Sequence, residues 1–183
     1  LPKIFKIRNH LQKNAINVQA KLSEDYKTLS VSQDITYFNS KNVAVKEVKL
    51  LNWIAAYQSK GTSLSDRKLE NRDRDLHFAK KDELGKLNNL TINIDDYSFS
   101  DFKNLTKENI SISLNKSLEP NESTNIHLEY TLSLPSMKLT GYGISANKVA
   151  LKYFFLIPDS YENENSANKE FLDIEETSSF DVN

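Results

Sequence analysis

The stretch Ile126-His127-Leu128-Glu129-Tyr130-Thr131-Leu132-Ser133-Leu134 has an apolar residue at every second position. Successive side chains of a strand point to opposite faces of a sheet, so this period of two predicts a strand with one buried face. The preceding stretch, Glu119-Pro120-Asn121-Glu122, combines a proline, which fixes φ, with an asparagine, which tolerates the left-handed region. The two segments together predict a turn followed by a half-buried strand.

The same alternation recurs along the chain and predicts further strands. Short polar turns, Ser23-Glu24-Asp25 and Asn39-Ser40, separate the first three of them, which predicts an antiparallel meander with one buried face. A largely apolar run that ends at Pro158 predicts a strand buried on both faces. The predicted strands cover residues 16–22, 29–37, 45–54, 90–94, 110–114, 126–134 and 149–157.

Three stretches depart from this pattern. Residues 57–89 combine a loop, a helical turn or two at 63–71 and a run of both charges, which is typical of a solvated face with weak ion pairs. Residues 1–15 predict a linker or a short helix, and residues 159–183 an acidic loop leading into a truncated strand. The sequence therefore predicts an all-β, antiparallel β-sandwich over residues 16–158, with a charged, partly helical or irregular insertion around residues 57–89.

Composition limits the classes of partner. The 24 Lys and Arg residues nearly balance the 25 Asp and Glu residues, so no global field favours nucleic acid or an anionic membrane. No run approaches the ~18 apolar residues of a membrane helix, and the mean hydropathy of −0.57 predicts a soluble chain without membrane insertion. The chain has no cysteine, which excludes disulfides and thiolate sites. Because it starts without a methionine, we expect it to begin inside a longer product.

No constellation for catalysis or metal binding is visible in the sequence. The three histidines, His10, His77 and His127, are far apart in the chain, and the phase of the alternation places His127 on the polar side of its strand. A G-x-S-x-G elbow is absent, and Gly141-Tyr142-Gly143 predicts a sharp backbone turn rather than a phosphate loop. The sequence therefore predicts no catalytic, cofactor-binding or metal-binding residue in this chain, and no cofactor.

Several strings in the first half of the chain are shared with a known family. Asp34-Ile35-Thr36-Tyr37-Phe38-Asn39-Ser40, followed by Val48-Lys49-Leu50-Leu51-Asn52-Trp53, resembles the "I-x-Y-x-N-S … I-x-L-x-x-W" opening of the M1 (aminopeptidase N-like, gluzincin) metallopeptidases. Residues 57–69 and 77–85 are similar to the "Y-x-x-K-x-T-x-L … F-H-F-A … G" insertion of the Bacteroidetes branch of that family. The order and spacing of these strings are more specific than any one of them.

The resemblance continues through the second half and covers roughly residues 16–182. Residues 112–123 resemble "L-x-x-x-L-x-P-G-x-S", and residues 138–158 resemble "F-T-x-Y-G … L-R-Y-W-Y-I-x-P". The chain departs from the family at Asn121, where a glycine is usual, and at Phe154, where a tryptophan is expected. The Trp-rich stretch that follows in the family is replaced here by an Asn- and Glu-rich one.

The resemblance implies the amino-terminal β-sandwich domain that precedes the catalytic domain in this family. The family's zinc motif H-E-x-x-H, its downstream Glu and its G-x-M-E-N substrate loop are all absent from these residues, so no catalytic position carries over. The implied role is that of a non-catalytic accessory domain in a zinc aminopeptidase, which packs on the catalytic domain of the same chain and walls the peptide cleft. Zinc is expected in that catalytic domain, and the setting is a bacterial cell envelope or a secreted protein.

A second interpretation comes from a different functional class. The chain would then be a stand-alone β-sandwich that serves as a binding or structural module of a bacterial envelope protein. An H-E-x-x-H motif with a later Glu in the coding sequence beyond Asn183 would distinguish the accessory domain from this alternative. In neither case do we expect a nucleic-acid partner.

Overall fold

The alternating stretch around Tyr130 forms an interior strand of the larger sheet. This strand, Ser123–Ser133, lies between Thr28–Phe38 and Lys86–Ile94, and both pairings are antiparallel. Its apolar side chains from Ile126 to Leu132 are buried, as their period of two predicts.

The structure is a computed structural model that describes residues 4–11, 14–95, 97–99, 108–146, 148–152, 154–159 and 181–182. In chain order the strands are β1 (Ile4–Leu11), β2 (Asn14–Leu22), β3 (Thr28–Phe38), β4 (Val45–Leu51), β5 (Lys86–Ile94), β6 (Tyr97–Phe99), β7 (Asn109–Leu118), β8 (Ser123–Ser133), β9 (Gly143–Ser145), β10 (Lys148–Ala150), β11 (Ile157–Pro158) and β12 (Asp181–Val182). The α-helices are α1 (Ser63–Glu70) and α2 (Met137–Thr140), and 3-10 helices form at Trp53–Tyr57 and Lys81–Glu83.

Two sheets share one core. Among the described residues, the larger sheet has the order β12-β1-β2-β3-β8-β5-β6 and the smaller has the order β11-β4-β7. Inward side chains of the larger sheet, such as Val31 and Leu128, belong to the same buried cluster as Val48 and Ile112 of the smaller sheet. This arrangement confirms the predicted all-β, antiparallel sandwich. The meander predicted for the first three strands is wrong, because β4 pairs with β7 and β11 in the smaller sheet and not with β3.

A bulge explains why the strand predicted at 90–94 was predicted too short. The register of β5 on β8 shifts between Asn88 and Thr91, and Asn89 between them has a φ of 52°. The bulge changes the phase of the alternation, so the buried Leu87 and Leu90 are three positions apart instead of two. A strict period of two therefore detects β5 only from Leu90 onward, although the strand begins at Lys86.

The amino-terminal segment corrects one prediction. Instead of a linker or short helix over residues 1–15, the chain forms β1, which pairs with β2 from Ile4↔Lys21 to Leu11↔Asn14. The weak helical spacing there cannot compete with a neighbouring strand edge that offers a hydrogen-bonding partner along the whole segment. Of the predicted acidic loop and truncated strand at 159–183, Asp159 and β12 are described, and β12 pairs with β1; residues 160–180 lie outside the described residues.

The apolar run before Pro158 corrects a second prediction. It does not form a single strand over 149–157, because β10 ends at Ala150 and β11 begins at Ile157. Between them Phe154, Phe155 and Leu156 are buried, but their backbone belongs to no ladder. Likewise β4 ends at Leu51 rather than at residue 54, since the buried Trp53–Tyr57 segment turns into a 3-10 helix.

A buried side chain replaces the missing ladder at residues 154–156. The Gln33 side chain, 0% exposed on β3, accepts from the Leu156 backbone N–H at 3.1 Å and donates to the Leu156 carbonyl. The Tyr130 hydroxyl donates to Gln33 Oε1 at 2.8 Å, and burial raises the pKa of that hydroxyl. The amide of Gln33 thus acts as a one-residue strand partner that holds the segment against the sheet.

The insertion at 57–89 is partly helical, as predicted. Helix α1 begins after Thr62, whose side-chain oxygen accepts from the Ser65 N–H at 3.2 Å. A small second core of Leu76, Ala79 and Leu139 joins the insertion to α2. The charged run contains a partly buried ion pair between Lys68 and Asp73.

Candidate functional site

An open cleft of about 2290 Å³ lies at one end of the larger sheet. Its lining comes from the β2–β3 turn, the entry to β5, the segment after β8, the β9–β10 hairpin and Phe154. These segments are far apart in the sequence, and the antiparallel order of β2, β3, β8 and β5 brings their ends together.

The β2–β3 turn forms one wall and is held by its own side chains. Ser23 Oγ donates to Asp25 Oδ1 at 2.7 Å, and the Lys27 backbone N–H donates to the same oxygen at 3.1 Å. The Ser23 hydroxyl in turn accepts from the Thr28 N–H at 2.9 Å. The hydrogen bond from Ser23 is the main reason why the pKa of the Asp25 carboxyl is lowered. The turn predicted at Ser23-Glu24-Asp25 is therefore confirmed, and Asp25 serves to shape it.

The β9–β10 hairpin forms the opposite wall and depends on two glycines. Gly141 ends α2 with a φ of 75°, and Gly143 begins β9 with a φ of 110°. The Ile144 N–H donates to the Pro135 carbonyl at 2.8 Å, which ties the hairpin to the end of β8. The sharp turn predicted for Gly141-Tyr142-Gly143 is confirmed, since both glycines lie in the left-handed region.

Contacts from the insertion fix the hairpin to the rest of the cleft. Tyr57 and Tyr142 pack edge to face with their ring centroids 5.6 Å apart. The Gly85 N–H donates to the Tyr57 carbonyl at 3.3 Å, and the Ser136 N–H donates to the Glu83 carbonyl at 2.8 Å. The insertion therefore contributes directly to the shape of the cleft.

The cleft has an apolar floor and a basic rim. The floor includes half-buried apolar side chains that pack on the cores beneath them and keep one side exposed: Leu22, Leu84, Ile144, Val149 and Leu151. The rim carries more lysines than acids. The lysines are Lys21, Lys27, Lys81, Lys86, Lys138 and Lys148, and the acids are Glu24, Asp25 and Asp82. The six lysines and three acids give the lining of the cleft an excess of positive charge, although the whole chain has a net charge of −1.

Apart from the cleft, a polar cluster around His127 lies on the outward face of the larger sheet. His127 Nδ1 is 2.7 Å from Asp34 Oδ1 on β3, and His127 Nε2 is 3.7 Å from Glu129 Oε1 on β8. The imidazole is 37% exposed, which confirms that His127 points to the polar side of its strand. The hydrogen bond to Asp34 is the main reason why the pKa of His127 is raised.

The Asp34→Asn substitution is expected to lower the pKa of His127. The folded-state pKa lies above the ordinary value of 6.5, so this pair stabilises the fold below pH about 6.5 and the contribution disappears as the pH rises through the folded pKa. NMR titration of the His127 ring protons measures the shift. Asp25→Asn, which removes a carboxylate on the turn rather than on the sheet face, is the matched control and leaves the His127 pKa unchanged. If the pKa of His127 is unchanged in Asp34→Asn, the hydrogen bond to Asp34 is not the main cause of the raised pKa.

His77 lies apart from the His127 cluster and does not line the cleft. His77 is exposed and packs edge to face on Phe78, with ring centroids 5.0 Å apart. The side chain of His10 on β1 lies outside the described residues. In the part of the chain that the structure describes, no group of three or more His, Cys, Asp or Glu side chains is placed to hold a metal ion.

Comparisons with known proteins leave the family open: no family model, no curated protein and no solved structure matches the chain. Among the described residues, no helix is long and apolar enough to span a membrane.

The cleft is the feature that the sequence did not predict. Its residues belong to separate segments whose individual patterns indicate only turns and strand ends. The one available signal was the pair of glycines around Tyr142, which marks a backbone that must bend sharply. The packing of the insertion, α2 and the β9–β10 hairpin at the end of the larger sheet, rather than any motif, brings the lysines of the rim together.

Proposed function

We propose that the chain is the non-catalytic amino-terminal accessory domain of an M1-like zinc aminopeptidase. In this proposal it packs on the catalytic domain of the same polypeptide and helps to wall the peptide cleft, in a bacterial cell envelope or secreted setting. In this proposal zinc is bound by the catalytic domain, as the resemblance to the M1 family implies. The observation that supports the proposal best is the open cleft with its exposed apolar floor.

The form of the cleft suits one wall of a shared site. Pockets for small molecules have volumes of about 300–1,000 Å³ and surround most of the ligand. This cleft is larger, at about 2290 Å³, and it is open to solvent. Half-buried apolar residues such as Ile144 and Val149 would be covered by a second surface or by a peptide chain. The order of the family-like strings from Asp34 to Pro158 supports the same assignment.

The coding sequence and the activity of the full protein test the proposal. We expect an H-E-x-x-H motif with a later Glu downstream of Asn183, and hydrolysis of an aminoacyl p-nitroanilide that a zinc chelator abolishes and added zinc restores. The 183-residue chain alone, incubated with zinc and the same substrate, is expected to give only the background rate. A reading frame that ends near Asn183, or turnover by the chain alone, would contradict the proposal and favour a stand-alone module.

A further inference from the structure

We propose that the basic cleft binds an extended peptide segment in which acidic residues alternate with apolar ones. This inference deepens the proposed function by naming a class of peptide. It rests on that function only for the claim that the peptide is a substrate. Its physical basis is the chemistry of the cleft itself, which can be tested on this chain without a catalytic domain.

The charge of the rim favours an acidic occupant. All of the lysines that line the cleft are exposed, and they outnumber the acids by six to three. One of the three acids, Asp25, is engaged by Ser23 and by the Lys27 backbone N–H, and one of the six lysines, Lys138, lies 3.9 Å from Asp75 Oδ1. A concentration of one sign of charge in a cleft with apolar walls attracts and orients ligands of the opposite sign.

The apolar floor excludes a simple polyanion as the best ligand. Leu22 and Leu151 pack on the main core and keep part of their surface exposed in the cleft. Side chains of an extended peptide alternate between two faces. Such a peptide can therefore place its apolar side chains on the floor while its carboxylates meet the lysines of the rim.

The hairpin provides backbone partners for an extended chain. Strand β10 pairs with β9 on one side, and its other edge has no partner strand within the described ranges. Lys148 and Val149 point to opposite faces of β10, and both line the cleft. The cleft therefore borders this strand on both faces. An exposed strand edge is a common site for the addition of a peptide strand.

Fluorescence anisotropy with a labelled heptapeptide of alternating glutamate and leucine tests the proposal on the 183-residue chain. We expect saturable binding that weakens about tenfold when Lys27→Glu and Lys148→Glu are combined, since each substitution reverses a charge at the rim. Raising the salt concentration is expected to weaken binding in the same direction. The matched control is Lys46→Glu on β4, an exposed lysine away from the cleft, which is expected to change the Kd less than about twofold.

Four results would overturn the proposal. The first is equal binding of a heptapeptide of alternating lysine and leucine, and the second is a Kd of the double variant within twofold of the unmodified chain. The third is dimerisation in sedimentation experiments that abolishes peptide binding, because a second copy of the chain would then be the occupant. Heparin that competes as well as the peptide also contradicts it, since heparin makes no use of the apolar floor. None of these results bears on the downstream zinc motif, so the two proposals can fail separately.

Discussion

Gly143→Ala is expected to destabilise the domain by roughly 3 kcal/mol and to lower the Tm by about 10 °C. A Cβ at Gly143 would lie 2.0 Å from the Pro135 carbonyl oxygen, and the φ of 110° is itself strained for any residue with a side chain. The carbonyl cannot move away freely, because it accepts the Ile144 N–H that holds the hairpin to the end of β8. Thermal unfolding followed by circular dichroism measures the change.

Two other glycines separate the causes of this effect. Gly61 has open space around it and no positive φ, so Gly61→Ala is expected to change stability by less than about 0.5 kcal/mol. Gly141 has a φ of 75° but also has open space, so Gly141→Ala should cost about 1 kcal/mol from backbone conformation alone. If Gly143→Ala has the same Tm as Gly61→Ala, the close approach of Gly143 to Pro135 is wrong.

Gln33→Leu is expected to destabilise the domain by about 3–4 kcal/mol, although it adds an apolar residue to an apolar core. The substitution leaves both backbone groups of Leu156 buried without their partner and removes the closer of the two acceptors of the Tyr130 hydroxyl. Unpaired buried polar groups cost about 1–3 kcal/mol each, more than the added leucine can recover. Urea unfolding gives the change in the free energy of unfolding.

A double-mutant cycle shows whether the network acts as a unit. Tyr130→Phe alone is expected to cost about 1 kcal/mol, and adding it to Gln33→Leu should cost less than the sum of the two. Gln19→Leu, the same substitution at an exposed position of the neighbouring strand, is the control and should change stability by less than about 0.5 kcal/mol. If Gln33→Leu has the same free energy of unfolding as this control, Gln33 does not hold residues 154–156.

The sequence predicted the central strands well because each has one buried and one polar face. In β8 and β3 the alternation is uninterrupted, and burial follows it position by position. It even placed Gln33 in phase with Val31 and Ile35 on the inward face. What the pattern could not supply was the partner, because the carbonyl that Gln33 contacts lies 123 residues later in the chain.

The weaker predictions failed where something other than the pattern of apolar residues determined the backbone conformation. At Phe154 and Leu156 the apolar composition predicted burial correctly, but a side-chain amide rather than a neighbouring strand satisfies the backbone. In β1 the edge of β2 outweighed a weak helical spacing. The periodicity of the sequence could not predict the cleft, because the cleft is formed by loop ends that only the strand order brings together.

The buried amide of Gln33 also bears on how the chain folds during synthesis. Strands β1 to β3 can pair as soon as they are made, but β8, which covers the other edge of β3, follows only after about ninety more residues. Until then the edge of β3 and its apolar face are exposed, and such edges are where chains aggregate. A polar residue at the centre of that face reduces its tendency to pair with a strand of another chain. Gln33 would thus protect the growing chain from aggregation before it stabilises the finished domain.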